Sequence, residues 1–136
     1  MSITSKVVYQ GGLRTEATHL RSGNKIHTDA PVDNEGKGEA FSPTDLAATS
    51  LASCILTIMG IAAQRKDLNI EGASADVTKV MGADPRRIAR IEITIKMPTN
   101  DYSVADKKVL EAAAHNCPVA LSLGENTEEV INIIWS

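Results

Sequence analysis

The cleanest pattern in the chain lies at 88–97, where Ile91, Ile93, Ile95 and Met97 alternate with Arg90, Glu92, Thr94 and Lys96. Successive side chains of a strand point to opposite faces, so this segment predicts a half-solvated antiparallel strand. A looser alternation at 73–81 sets Ala75, Val77 and Lys79 against Asp76, Thr78 and Val80. Between the two, Gly82-Ala83-Asp84-Pro85 reads as a turn. Near the start, Val7-Val8-Tyr9, residues 13–20 and residues 25–28 are three short strand candidates. The turn signals Gly11-Gly12 and Ser22-Gly23-Asn24 separate them and predict a three-stranded antiparallel meander. Residues 29–38, with two Gly, one Pro and three acidic residues, read as a loop.

Ser42-Pro43-Thr44-Asp45 predicts a helix start: Ser at the cap, Pro at the first helical position, and Asp three residues after the cap in the place of a capping-box Glu. The 18 residues 46–63 that follow carry no charge. That length is enough to cross a bilayer. Thr49, Ser50, Ser53, Cys54, Thr57 and Gly60 interrupt it, however, and amphipathic segments flank it, so a buried central helix is the expectation. Gln64-Arg65-Lys66 then supplies positive charge where the helix dipole favours it. Residues 104–115 predict a second helix, 118–123 a short third one closed by Gly124, and 130–135 an apolar final strand. The order βββ-α-ββ-αα-β, with strands in runs, predicts an α+β fold with antiparallel sheets around a long buried central helix. At 136 residues the chain fits one domain over 1–136.

Composition narrows the function. Net charge is −3, so no basic excess points to nucleic acid or an anionic membrane, and neither is expected as a partner. Aromatic residues are only 3% of the chain, which leaves little for base stacking. Two cysteines, Cys54 and Cys117, are too few for a secreted disulfide scaffold or an all-thiolate zinc site. The opening MSITSKVVYQGG lacks a charged-then-apolar leader, and a cytoplasmic location with reduced thiols is expected.

The chemistry-bearing candidates are few. Asn116-Cys117-Pro118 places a thiol at the cap of a new helix, where unpaired N–H groups favour thiolate. It is equally the place for a small buried hydrophobe. Cys54 lies two turns into the uncharged helix, with nothing local to activate it, and on its own reads as core packing. His115, two residues before Cys117, is near enough to raise thiolate content. His19, His27 and His115 do not fall at metal-ligand spacings with the cysteines, and no metal is expected. Gly36-Lys37-Gly38 lacks the GxxxxGK[ST] pattern of a phosphate loop. Arg86-Arg87 beside Pro85 reads as a solvated turn.

Taken together, these pieces resemble the OsmC/Ohr family of osmotically induced and organic hydroperoxide resistance proteins. The resemblance rests on the Ser-Pro-x-Asp-Leu-Ala-Ala-x-x-Leu-Ala-Ser-Cys run at 42–54, the Gly/Lys/Glu loop before it, the Cys-Pro-Val 63 positions after Cys54, and the N-terminal meander. It covers essentially the whole chain and is nearer the broad OsmC-like branch than the peroxide-resistance branch. What it implies is a thiol peroxidase acting on organic hydroperoxides. Cys54 would attack the peroxide and become a sulfenic acid; Cys117 would capture it as an intramolecular disulfide, and an external dithiol would reduce that. No bound cofactor is implied. The family also uses an N-terminal Arg, here Arg14 with Arg21 as second choice, to hold the first cysteine as thiolate. Its acid, ten residues before that cysteine in the peroxide-resistance branch, is replaced here by Thr44; Asp45 is adjacent and Glu39 lies upstream. A Thr cannot pair an Arg as a carboxylate does. Intertwined homodimers are the family's habit, and the uncharged helix fits one.

Two other readings of the same residues differ in class. One is a non-catalytic dimer binding a small apolar or lipid-like ligand, with unreactive buried thiols. The other is a redox regulator whose disulfide is the signal.

Overall fold

Gly12 and Leu13 both take positive φ, 61° and 63°, as a two-residue type I′ hairpin connection requires. They join β1 (Ser5–Gly11) to β2 (Arg14–His19), and a second turn leads to β3 (Lys25–Asp29). The sheet order is β1-β2-β3 with both pairings antiparallel, so the predicted meander is present. The computed structural model describes residues 2–136, which fall into two compact units, one ending at Leu46 and one beginning at Ala47.

In the first unit every residue of β1 is exposed; Val7 is 60% and Tyr9 64% accessible. Its buried described residues, Thr28, Asp29 and Ser42, are all polar, and each has a hydrogen-bond partner. Beyond β3 the chain makes a 3-10 turn at Val32–Asn34 and folds back on itself. Gly38 N–H donates to the Ala30 carbonyl and Gly36 N–H to that of Pro31. A Cβ on Gly36 would fall on the backbone of Ala30, so this loop tolerates only glycine there. The expected helix start follows. Asp45 N–H donates to Ser42 Oγ and Ser42 N–H donates to Asp45 Oδ2, each at 3.0 Å, a capping box with Pro43 at the first helical position.

The second unit holds most of helix α1 (Pro43–Arg65), strands β4 (Ser74–Gly82) and β5 (Arg87–Lys96), helices α2 (Val104–Ala114) and α3 (Pro118–Ser122), and strand β6 (Glu128–Ile134). Ile91, Ile93, Ile95 and Met97 are buried, as their alternation predicts. They pack with Leu51, Ile55 and Met59 of α1, Leu110 and Ala114 of α2, and Cys117. Each fully buried Ile, Leu or Met removes apolar surface worth about 1.5–3 kcal/mol from water. A second capping box, between Ser103 and Asp106, starts α2.

The element order is the expected βββ-α-ββ-αα-β and the class is α+β. Two details differ from expectation. The second sheet is mixed: β4 and β5 are antiparallel, but β6 runs parallel to β5. The stretch that carries α2 and α3 makes the crossover a parallel pair needs, where a tight turn could not. The central helix is also not buried all round. Its buried residues form one stripe, Ala48, Leu51, Ala52, Ile55, Met59 and Ala63, while Ser50, Ser53, Thr57 and Ile61 are exposed. Two hydroxyls on that open face donate back to the helix, Ser50 Oγ to the Ala47 carbonyl and Thr57 Oγ1 to that of Ser53, so these two polar groups are satisfied without a charged partner. By length and hydropathy α1 would reach across a membrane, and its packed stripe is that of a helix lying against a core.

Candidate functional site

Cys54 sits on α1, between the buried stripe and the open face, and is partly exposed. Cys117 is the cap residue of α3, with Pro118 at the first helical position, and is 0% exposed. Both are free thiols. They lie against each other closely enough to share a hydrogen bond, so the two cysteines separated by 63 positions meet within the second unit. A thiol that solvent partly reaches thus lies beside one that it does not.

The cap position does not make Cys117 acidic. Burial pushes its thiol pKa up, and the hydrogen bond with Cys54 adds to this. The backbone N–H groups of Ala120 and Val119 pull the other way and are outweighed. This corrects the sequence expectation of a thiolate favoured at the cap: a short helix contributes little against full desolvation. His115 does not change the balance. It is exposed, and its charge acts instead on Glu129, whose carboxyl pKa burial raises and His115 partly restores.

In the first unit, Arg14 opens β2 directly opposite Asp29, the last residue of β3. Arg14 Nε donates to Asp29 Oδ1 at 2.7 Å and Nη2 donates to Oδ2 at 2.8 Å, a bidentate side-on pair. Glu39 contributes twice: its backbone N–H donates to Asp29 Oδ2 at 3.1 Å, and its carboxylate stands 3.5 Å from Arg14 Nη2. Arg14 thereby holds Asp29 well below the usual carboxylate range, chiefly through these hydrogen bonds, while Asp29 raises Arg14 in turn. Arg21, the second choice, lies exposed in the turn after β2. Asp45 is a capping-box acid, with Oδ2 accepting the Ser42 N–H, and Thr44 Oγ1 shares a hydrogen bond with Ser42 Oγ.

Asp29 is the residue that sequence reasoning left in a loop. A cross-strand rule could have found it: once the turn after β2 is placed, Arg14 and Asp29 face each other, and opposite charges in that relation pair. Among the described residues, no group of three or more His, Cys, Asp or Glu side chains could hold a metal.

Comparison with known proteins places the chain. A family model described as OsmC-like protein matches residues 36–131. A crystal structure from Psychrobacter arcticus 273-4, whose name points to osmotic stress induction and a detoxification response, is 52% identical. The match covers 98% of this chain and 97% of that one, with a TM-score of 0.94. An OsmC-like protein of unknown function from Vibrio cholerae is 16% identical over 98% of this chain and 100% of that one, with a TM-score of 0.80. An organic hydroperoxide resistance protein from Legionella pneumophila is 19% identical over 98% of each chain, with a TM-score of 0.71. At those last two identities the likeness shows the fold alone. No curated protein matches the chain.

Proposed function

The chain belongs to the OsmC-like family, and we propose that it is a thiol-dependent peroxidase that reduces organic hydroperoxides in defence against oxidative stress. The observation that carries this reading is the pair of neighbouring thiols, Cys54 partly exposed and Cys117 buried. The names of the organic hydroperoxide resistance proteins that share the fold support the substrate class.

The reaction uses two thiols and two electrons. The Cys54 thiolate attacks one peroxide oxygen; the S–O bond forms, the O–O bond breaks, and the alkoxide takes a proton and leaves as an alcohol. Cys117 then attacks the sulfenic sulfur, which expels water and forms the Cys54–Cys117 disulfide. An external dithiol reduces this disulfide and becomes oxidised itself. Burial favours the protonated form of the Cys117 thiol, and in this reading it is the second of the two to react. In this reading Arg14 is the cation that stabilises the thiolate, and Asp45 adds an acid near the start of α1. The protein works as a cytoplasmic homodimer. Val7, Tyr9 and Ile26 of the meander, exposed in the single chain, support a second copy.

The test is turnover of cumene hydroperoxide with a dithiol reductant. Wild-type protein should consume it, Cys54→Ser should not, and Cys117→Ser should stop after one sulfenic acid per chain. Turnover that survives in Cys54→Ser would sink the assignment.

A further inference from the structure

We propose that Cys54 and Cys117 together form a two-sulfur site for one copper(I) ion, held between the two thiolates. The proposal concerns the same two thiols as the peroxidase reading but does not rest on it, since coordination asks nothing of a peroxide.

The donors are sulfur and nothing else. Cys54 packs against the buried cluster that contains Cys117, and the two thiols share a hydrogen bond, so a small rotation of either side chain admits an ion between them. Two metal–thiolate bonds of about 2.3 Å, laid end to end, need sulfur atoms about 4.6 Å apart. One turn from Cys54 on α1 stand Ser50, Leu51, Thr57 and Ile58, none of them ionisable. Among the described residues, Cys54 is the only ionisable group that acts on the Cys117 thiol. Nor does any group of three or more His, Cys, Asp or Glu come together there. A closed four-ligand zinc site is therefore out of reach. Copper(I) is a soft, closed-shell ion that thiolates select, and two sulfur donors satisfy it. Local spacing does not show such a site, because its ligands stand 63 positions apart and meet only in the fold.

The surroundings suit the charge. Binding breaks two S–H bonds, forms two Cu–S bonds and releases two protons to solvent, with copper and both sulfurs unchanged in oxidation state. One negative charge then replaces two neutral thiols. The backbone N–H groups of Val119 and Ala120 already donate to the Cys117 sulfur and would meet that charge. Burial disfavours a free thiolate at Cys117, but a thiol bonded to a metal cation is deprotonated outright. The partly exposed Cys54 gives the ion a way in, while buried Cys117 closes the far side to water and to a further ligand.

Anaerobic titration of the fully reduced chain with copper(I), against a chromophoric copper(I) chelator, tests this. Wild-type protein should take one ion per chain. Cys54→Ser and Cys117→Ser should each bind at least about a hundredfold more weakly, because the second sulfur binds intramolecularly. X-ray absorption of the loaded wild type should show two sulfur neighbours and no nitrogen or oxygen neighbour, a readout that does not depend on the variants folding. Zinc(II) at equal concentration should not displace the copper. Either serine variant binding within about threefold of wild type would overturn the proposal, as would a copper with three or four ligands. Protein that binds copper(I) in this way but leaves cumene hydroperoxide intact would contradict the peroxidase reading alone. Protein that turns over the peroxide without taking up copper(I) would contradict this proposal alone.

Discussion

Cys54 and Cys117 are hydrogen-bonding neighbours that differ in access, one partly exposed on a long helix and the other buried at the start of a short one. In the proposed reaction that asymmetry puts Cys54 first, where the cap position alone would put Cys117 first. A cap position argues for an acidic Cys117, and mid-helix Cys54 has no local activation. Desolvation outweighs the cap, because a group with no exposed surface loses its hydration while a five-residue helix offers only two N–H groups in return.

Labelling should reveal the order directly. At pH 7, iodoacetamide should modify Cys54 well before Cys117, and peptide mapping reads the two rates. Raised pH should leave Cys117 lagging beyond its ordinary value of about 8.5, because burial has moved its titration upward. Because the protonated thiol is the favoured form, its contribution to stability is complete below that ordinary value and is lost as pH rises through the higher folded one. Equal labelling rates would contradict this account of the pair.

Acid should weaken the first unit through Asp29. Its carboxyl is held low, chiefly by hydrogen bonds from Arg14 and against the effect of burial. A depressed carboxylate stabilises the fold above its unfolded pKa, about 3.9, and that contribution is lost as pH falls through the lower folded value. Thermal melts from about pH 6 down to about pH 2 should therefore lose less in Asp29→Asn than in wild type. Parallel curves for the two proteins would show that the pair carries no linked stability.

The core of the second unit should respond by face. Ile93 is fully buried in β5, and Ile93→Ala should cost about 2–5 kcal/mol, a Tm drop of roughly 6 °C or more. Lys96, exposed near the end of the same strand with Asp76 at 3.3 Å, forms a solvent-screened pair, and Lys96→Ala should stay within about 1 kcal/mol. Similar losses at both positions would contradict a strand stabilised through its buried face.

Much of this fold was legible because local rules and tertiary packing agree. Ile91, Ile93, Ile95 and Met97 alternate because one face of β5 is buried, and a two-residue period has no other simple cause. Ser42 and Asp45 cap α1 through bonds that need only neighbours in sequence. The direction of β6 was not legible, since an apolar strand reads alike parallel or antiparallel and only the crossover through α2 and α3 decides. Nor was the open face of α1. Ser50 and Thr57 bond to their own helix, so no charge marks that side. Of the candidate residues, the two cysteines stood out by their motifs, and Arg14 entered only through the family resemblance. Asp29 stood out in neither way, because its meaning depends on register: one residue's slip would move it away from Arg14.

The most direct test of the central claim is intact mass with a free-thiol count after about one equivalent of cumene hydroperoxide. Rapid loss of both thiols with a mass lower by about two hydrogens is the predicted result, the mark of a Cys54–Cys117 disulfide. Both thiols intact after minutes, at unchanged mass, would contradict it and leave an OsmC-like fold without the peroxidase chemistry proposed for it.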